Sequence, residues 1–141
     1  MIVGDRNVND LPPISGNANG AAEPSVAFRQ AMAAVETYGA EFRTALALNN
    51  FDRAEDAAQR AVDIWLVGRL VCGKIIARGN PESPYNNAAR NLLLLNGEEI
   101  LALLKRLVAD APPDLRRPME DLRRTLASAI EEPFHAVRGR R

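Results

Sequence analysis

The sequence predicts an all-α protein, an antiparallel up-down-up-down four-helix bundle preceded by a flexible N-terminal arm. Three observations predict this fold. Apolar residues recur at steps of three and four along four segments of similar length. Short turns separate these segments, and short connections are typical of helices that pack as antiparallel neighbours. No segment shows the alternation of apolar and polar residues that marks a half-buried strand.

Residues 1–24 form the predicted arm, because they are rich in asparagine, glycine and proline and show no helical period. Within the arm, Leu11 and Ile14 belong to a short extended piece that contains two prolines. This piece either lies loosely on the domain or docks its two apolar side chains into a groove on this chain or on a partner. Leu11 and Ile14 are therefore candidate interaction residues.

The bundle is expected to span residues 25–137, and its first helix begins near Pro24 or Ser25. Proline suits the first helical turn and serine suits the cap. Asn49 and Asn50 are expected to end this helix. Six residues at helical spacing define its buried face: Phe28, Met32, Val35, Tyr38, Phe42 and Leu46.

The second helix is expected to run from Asp52 to about Arg78, with Asp52 and Glu55 in capping-box spacing. Gly68 and Gly73 lower helix propensity, which suggests a close approach between helices at these positions. The second half of the helix is apolar nearly all round, unlike a helix with one wet side. Six aliphatic residues exceed the arc that one bundle core covers: Leu66, Val67, Leu70, Val71, Ile75 and Ile76. We expect the excess to be buried against a second copy of the chain, with the first four as candidate contacts. Cover by Leu11 and Ile14 of the arm, or by a different protein, is the alternative.

The third helix is expected to start at Ser83 or Pro84 and to end at about Asp110. Asn96 and Gly97 could break it into two short helices. Continuity is favoured because five residues keep a single face across this point: Leu93, Gly97, Ile100, Leu104 and Leu107.

The regular part of the last helix is expected to begin near Pro118, because proline is tolerated only in a first turn. Residues 138–141 form a basic C-terminal tail. The apolar face of this helix carries Leu115, Met119, Leu122, Leu126, Ile130 and Phe134. Across the four helices, six residues are predicted to be buried together: Trp65, Leu70, Leu93, Leu104, Leu122 and Leu126.

The charge balance disfavours a protein that is drawn as a whole to nucleic acid or anionic lipid, because 18 basic residues match 18 acidic ones. The last helix is the local exception, since it carries Arg116, Arg117, Arg123 and Arg124. Glu120 and Asp121 lie among these arginines at spacings that form ion pairs on a helix surface. A salt-bridged face is therefore favoured over a patch for nucleic acid or an acidic partner.

The sequence carries little equipment for catalysis or metal binding. Its one cysteine, Cys72, excludes an intramolecular disulfide and a cysteine cluster, and it lies in the most apolar helix, where a thiol stays protonated. Its one histidine, His135, lacks the second histidine that a di-iron bundle needs. There is no glycine-rich phosphate loop. We expect no catalytic residue, no metal and no cofactor.

The segment His135-Ala136-Val137-Arg138-Gly139 resembles the local pattern around the histidine of histidine phosphotransfer domains, which are also four-helix bundles. The resemblance implies phosphotransfer through His135. The histidine of that family lies in mid-helix, whereas His135 follows Pro133 near the end of the chain. This difference favours a surface histidine.

The expected function is that of a non-enzymatic protein-interaction module, such as an adaptor, an export-type chaperone or a subunit of a larger assembly. Its partners would be proteins, including a second copy in a homodimer. The alternative is a regulatory nucleic-acid-binding protein that uses the arginine-rich last helix and the tail. The first residues carry no secretory signal, and charged residues interrupt the longest apolar stretch, so we expect a cytoplasmic protein without a membrane span.

Overall fold

The computed structural model describes residues 24–78 and 83–134, which form a four-helix bundle, as the sequence predicts. No strand occurs in these two ranges. The helices are α1 (Pro24–Ala47), α2 (Phe51–Arg78), α3 (Pro84–Asp110) and α4 (Pro113–Glu131). Apart from Pro24, the predicted arm with Leu11 and Ile14 lies outside the described residues, as do His135 and the basic tail.

The end of α1 is closed by two backbone hydrogen bonds that reverse the chain direction. Asn49 has a positive φ of 57°, a left-handed conformation that asparagine tolerates better than most residues. Its N–H donates to the Leu46 carbonyl, and the Asn50 N–H donates to the Ala45 carbonyl at 2.9 Å. This is a Schellman motif, which satisfies carbonyl groups that the end of a helix otherwise leaves unpaired.

The cap of α2 differs from the predicted one. Asn50 Oδ1 accepts a hydrogen bond from the Arg53 N–H at 3.2 Å, and α2 begins at Phe51. The prediction of a start at Asp52 with a capping box to Glu55 is therefore wrong. Asn50 closes α1 and caps α2 at once, because the connection between the two helices is only three residues long.

The third helix begins and continues as predicted. Ser83 Oγ accepts from the Asn86 N–H at 3.0 Å, and Pro84 follows in the first turn. The helix passes through Asn96 and Gly97 without a break.

The fourth helix begins earlier than predicted, at Pro113, and Pro118 lies inside it. Because Pro118 has no N–H, the carbonyl group of Asp114 loses its helical donor. Leu115 and Met119, on either side of Pro118, are both buried in the core. Their packing holds the two turns together despite the missing hydrogen bond.

The core confirms the predicted faces with one exception. Five of the six residues that were predicted to be buried together are buried: Trp65, Leu93, Leu104, Leu122 and Leu126. Leu70 is 68% exposed, so its assignment to the core is wrong. Leu70 lies on the side of α2 opposite to Trp65 and Cys72, and these two residues face the other helices and are fully buried.

Glycine permits close packing at two positions in the core. A Cβ atom at Gly68 would lie 2.6 Å from Met32 Cε of α1, and one at Gly97 would lie 2.9 Å from the indole ring of Trp65. The predicted close approach is therefore present at Gly68. It is absent at Gly73, where a Cβ atom would meet nothing within 4 Å.

The helices are not packed in a closed square. α2 and α3 each contact the three other helices, whereas α1 and α4 lie on opposite sides of this central pair. Ion pairing of Glu41 with Arg53, together with the contact between Met32 and Gly68, shows that α1 and α2 are antiparallel. Although α2 is central, one of its faces is left uncovered by the other helices.

Candidate interaction surface

The uncovered face of α2 carries two neighbouring large apolar side chains. Val67 is 55% exposed and Leu70 is 68% exposed, and they lie three residues apart on one face. The other exposed large apolar residues in the described ranges lie apart from this pair: Leu48 in the α1–α2 turn, and Tyr85 and Leu95 on α3. Val67 and Leu70 are aliphatic and adjacent, so together they form a small apolar patch on this helix face.

Charged residues stand at both ends of this pair. Asp63 precedes Val67 by four residues and Lys74 follows Leu70 by four residues, and both charged side chains are exposed. We call these four residues the α2 stripe. Gln59 Nε2 donates to Asp63 Oδ1 at 3.0 Å, whereas Lys74 forms no ion pair with any described residue. The stripe is therefore negative at one end, apolar in the middle and positive at the other end.

The structure brings the four predicted contact residues of α2 together around this stripe. Val67 and Leu70 form its centre, and Leu66 and Val71 are half-buried on its two flanks. Leu66 and Val71 pack against the core on one side and remain partly open to solvent on the other. By contrast, Ile75 and Ile76 are buried in the core and contribute nothing to the surface.

Arg69 of α2 does not add a free charge to the exposed face of this helix. Its guanidinium group turns to the end of α4, where Nε donates to the Ala129 carbonyl at 3.0 Å. Sequence reasoning missed this role because it depends on where α4 ends in space. Only Asp63 and Lys74 then remain as charged neighbours of Val67 and Leu70.

The arginine-rich face of α4 contains the ion pairs predicted from spacing. Arg123 binds Glu120 through two hydrogen bonds, of 2.9 Å from Nε and 2.6 Å from Nη2. Arg124 Nε lies 3.3 Å from the same carboxylate. The hydrogen bond that Arg123 donates lowers the pKa of the Glu120 carboxyl group, and the same hydrogen bond raises the pKa of the Arg123 guanidinium group.

The two remaining arginines of α4 differ from each other. Arg116 Nη2 donates to the Ala111 carbonyl at 2.9 Å, in the turn that joins α3 to α4. Arg117 is exposed and forms no ion pair within residues 24–78 and 83–134. A shallow groove between Val108 and this face is lined by arginines and carboxylates together. The four arginines therefore share one region, but they do not form a purely basic patch.

A second groove, with a volume of about 190 Å³, lies between α1 and α3. Asn96 lines it and is only 4% exposed, and its Nδ2 donates to Met32 Sδ at 3.5 Å. Glu36, Arg43 and Glu99 lie at its edge. Sequence reasoning considered Asn96 only as a potential helix break and did not foresee a buried polar group here.

The described residues offer little for metal or redox chemistry. They contain no group of three or more histidine, cysteine or acidic side chains that could hold a metal ion. Cys72 is a buried free thiol, and burial raises its pKa to about 11. None of the four helices combines the length and the apolar character needed to cross a membrane. No protein-family model, curated protein or solved structure matches this chain.

Proposed function

We propose that the protein is a non-enzymatic protein-interaction module that binds its partner through the α2 stripe. The exposure of Val67 and Leu70 side by side on one helix face carries this proposal. The outer face of a bundle helix is normally polar, so an apolar pair there is unexpected in a helix that meets only water. Burying the pair against another protein would remove its apolar surface from water.

The shape of the surface favours a helix as the binding element of the partner. A single straight helix offers ridges of side chains rather than a deep pocket, and a second helix packs against such ridges. An adaptor, an export-type chaperone and an assembly subunit all act through surfaces of this kind. The protein would work in the cytoplasm, in keeping with its single buried thiol.

The alternative of a regulatory nucleic-acid-binding protein has weaker support. Binding to a phosphate backbone depends on cationic side chains that are available to the phosphates. Glu120 already pairs with Arg123 and Arg124, and Arg116 is bound to a backbone carbonyl. Arg117 is left as a single cation on this helix, which favours the protein partner over nucleic acid.

Substitution of Leu70 by aspartate tests the proposal directly. The tagged wild-type protein and the Leu70→Asp variant are compared by affinity capture with quantitative mass spectrometry, and absorbance at 260 nm is read on the same eluates. Leu70→Asp should lose the captured protein, because a charge would have to be buried in the contact. Its circular dichroism spectrum should stay helical, because Leu70 lies outside the core.

Leu95→Asp is the matched control, since Leu95 is 57% exposed on α3 and lies away from the α2 stripe. This variant should keep the partner. If Leu70→Asp loses neither a captured protein nor association with a second copy, or if both variants lose them equally, the α2 stripe is not the binding surface. Bound nucleic acid that disappears on Arg117→Glu would instead support the alternative.

A further inference from the structure

We infer that the partner of the α2 stripe is a second copy of this chain, bound in an antiparallel two-fold contact between the two α2 helices. This inference rests on the proposed function, because it names the partner of the same surface. The arrangement of charge and apolar surface along the stripe carries it.

The stripe is symmetric in its spacing. Four residues separate Asp63 from Val67, and four residues separate Leu70 from Lys74. In an antiparallel contact centred between Val67 and Leu70, each Val67 faces the partner's Leu70. The same register places Asp63 opposite the partner's Lys74, twice in each dimer. A single two-fold axis therefore brings the apolar side chains into contact and places each charge opposite a charge of the other sign.

The opposite orientation lacks this complementarity. In a parallel two-fold contact, Asp63 would face a second Asp63, and Lys74 would face a second Lys74. Like charges held opposite each other disfavour association. The charge pattern therefore selects the antiparallel orientation as well as the register.

The geometry of the helix suits such a contact. Steps of four, three and four residues place the stripe along one seam, which is the spacing that antiparallel helices use to pack side by side. The half-buried Leu66 and Val71 widen the seam on its two sides. About one helical turn beyond each charged pair, Gln59 would face the partner's Arg78, and both of these residues are exposed.

The contact is small, because only one helix of each copy takes part. Interfaces that bury less than about 1,200 Å² in total are typical of weak or transient complexes. We therefore expect a dimer that forms at high protein concentration and dissociates on dilution, rather than a permanent one.

Charge reversal tests the register. Asp63→Lys and Lys74→Asp each create two like-charge pairs in the homodimer, and each should weaken dimerisation about tenfold in sedimentation equilibrium. An equimolar mixture of the two variants should restore dimerisation as a heterodimer, because every pair is again opposite in charge. Glu98→Lys and Lys105→Asp are matched controls on exposed positions of α3 and should dimerise like the wild type.

Disulfide trapping tests the orientation. A Val67→Cys chain mixed with a Leu70→Cys chain should form the mixed disulfide in preference to either symmetric one. A parallel contact would give the symmetric disulfides instead and would overturn the inferred geometry. Cys72 does not compete in the folded protein, because its thiol is fully buried.

The outcomes separate this inference from the proposed function. A wild type that stays monomeric at all concentrations would overturn the second copy as the partner. Single charge reversals that dimerise normally would overturn the inferred register. The proposed function would survive if Leu70→Asp still lost a different captured protein. A wild-type dimer that Leu70→Asp leaves intact would overturn the inferred contact, and the proposed function would fail with it only if this variant also kept every captured protein.

Discussion

Arg69 of α2 and Phe134, which follows α4, form a cation–π contact in which the guanidinium carbon lies 4.6 Å from the centre of the ring. The same guanidinium group donates to backbone carbonyls at the end of α4, including that of Glu132 at 2.6 Å from Nη2. The last carbonyls of a helix lack helical donors and carry partial negative charge. Arg69 therefore closes α4 and ties it to the central helix pair.

Replacing Arg69 by methionine should loosen the end of α4. Methionine keeps much of the aliphatic packing but cannot donate to the carbonyls of Ala129 and Glu132. The free energy of unfolding should fall by about 1.5–3 kcal/mol, the usual scale for hydrogen bonds that involve a charged group. Urea denaturation measures this loss, and amide hydrogen exchange should speed up in the last turn of α4. The matched control is Arg106→Met on the exposed side of α3, and an equal loss there would contradict the role of Arg69.

Three glycine-to-alanine variants should differ in stability in a fixed order. Gly97→Ala should destabilise the protein by about 1–2 kcal/mol, because its Cβ would meet the rigid indole ring of Trp65. Gly73→Ala should stabilise it by about 0.5–1 kcal/mol, because alanine favours the helix and the site is open.

The stability of Gly68→Ala should lie between those of the other two variants. The atom that its Cβ would meet is Met32 Cε, at the end of a flexible side chain that can move aside. Thermal denaturation of the three variants ranks them. A Gly73→Ala variant as unstable as Gly97→Ala would show that the outer side of α2 is covered in the monomer.

Truncation of Leu104 should be costly. Leu104 is fully buried in α3, so Leu104→Ala removes apolar contacts and leaves a cavity, at about 2–5 kcal/mol of unfolding free energy. Leu95→Ala on the exposed side of the same helix should change stability by less than about 0.5 kcal/mol. Chemical denaturation of both variants checks the assignment. Midpoints that move equally would mean that the buried face of α3 is wrongly assigned.

The thiol of Cys72 should stay protonated in the folded protein well above neutral pH. Burial raises its pKa to about 11, whereas the thiol of an unfolded chain titrates near 8.5. The folded state therefore holds its proton across this interval, and the stabilisation from Cys72 is lost as the pH rises through it. The free energy of unfolding should fall more steeply with pH for the wild type than for Cys72→Ala.

Thiol labelling gives an independent readout for Cys72. A thiol-specific chromogenic reagent should react slowly with the folded protein at pH 8 and fast once urea unfolds it. Fast labelling of the native state would contradict the burial of this side chain.

The sequence predicted the helices well because each of them has to bury one face. In α1, α3 and α4 the apolar residues fall on a single stripe, and helical spacing alone identifies the side that packs inward. Leu93, Ile100 and Leu104 kept one face across Asn96 and Gly97, and this register correctly predicted a continuous helix. The ion pairs of Glu120 followed from spacing too, because residues three and four apart on a helix are always neighbours.

The predictions that failed depended on what surrounds a residue in the fold, which spacing along one helix does not show. Asn50 replaced Asp52 as the cap of α2 because the closing turn of α1 had already placed its side chain. Pro118 is tolerated inside α4 because neighbouring side chains are buried on both sides of it. Gly68 lies against α1 and Gly73 faces open space, although the two glycines look alike in the sequence.

The sequence by itself determined that this chain forms four amphipathic helices, and that α2 carries more apolar surface than one core can cover. The tertiary structure alone decided which part of that surface is left over. In the folded protein Trp65 and Cys72 are buried and Leu70 is exposed. Arg69 binds backbone carbonyl groups at the end of α4. The physical reason is that the period of a helix shows which residues share a face, whereas the positions of the other helices determine which face is covered. Where a helix is apolar nearly all round, only packing can choose between its faces.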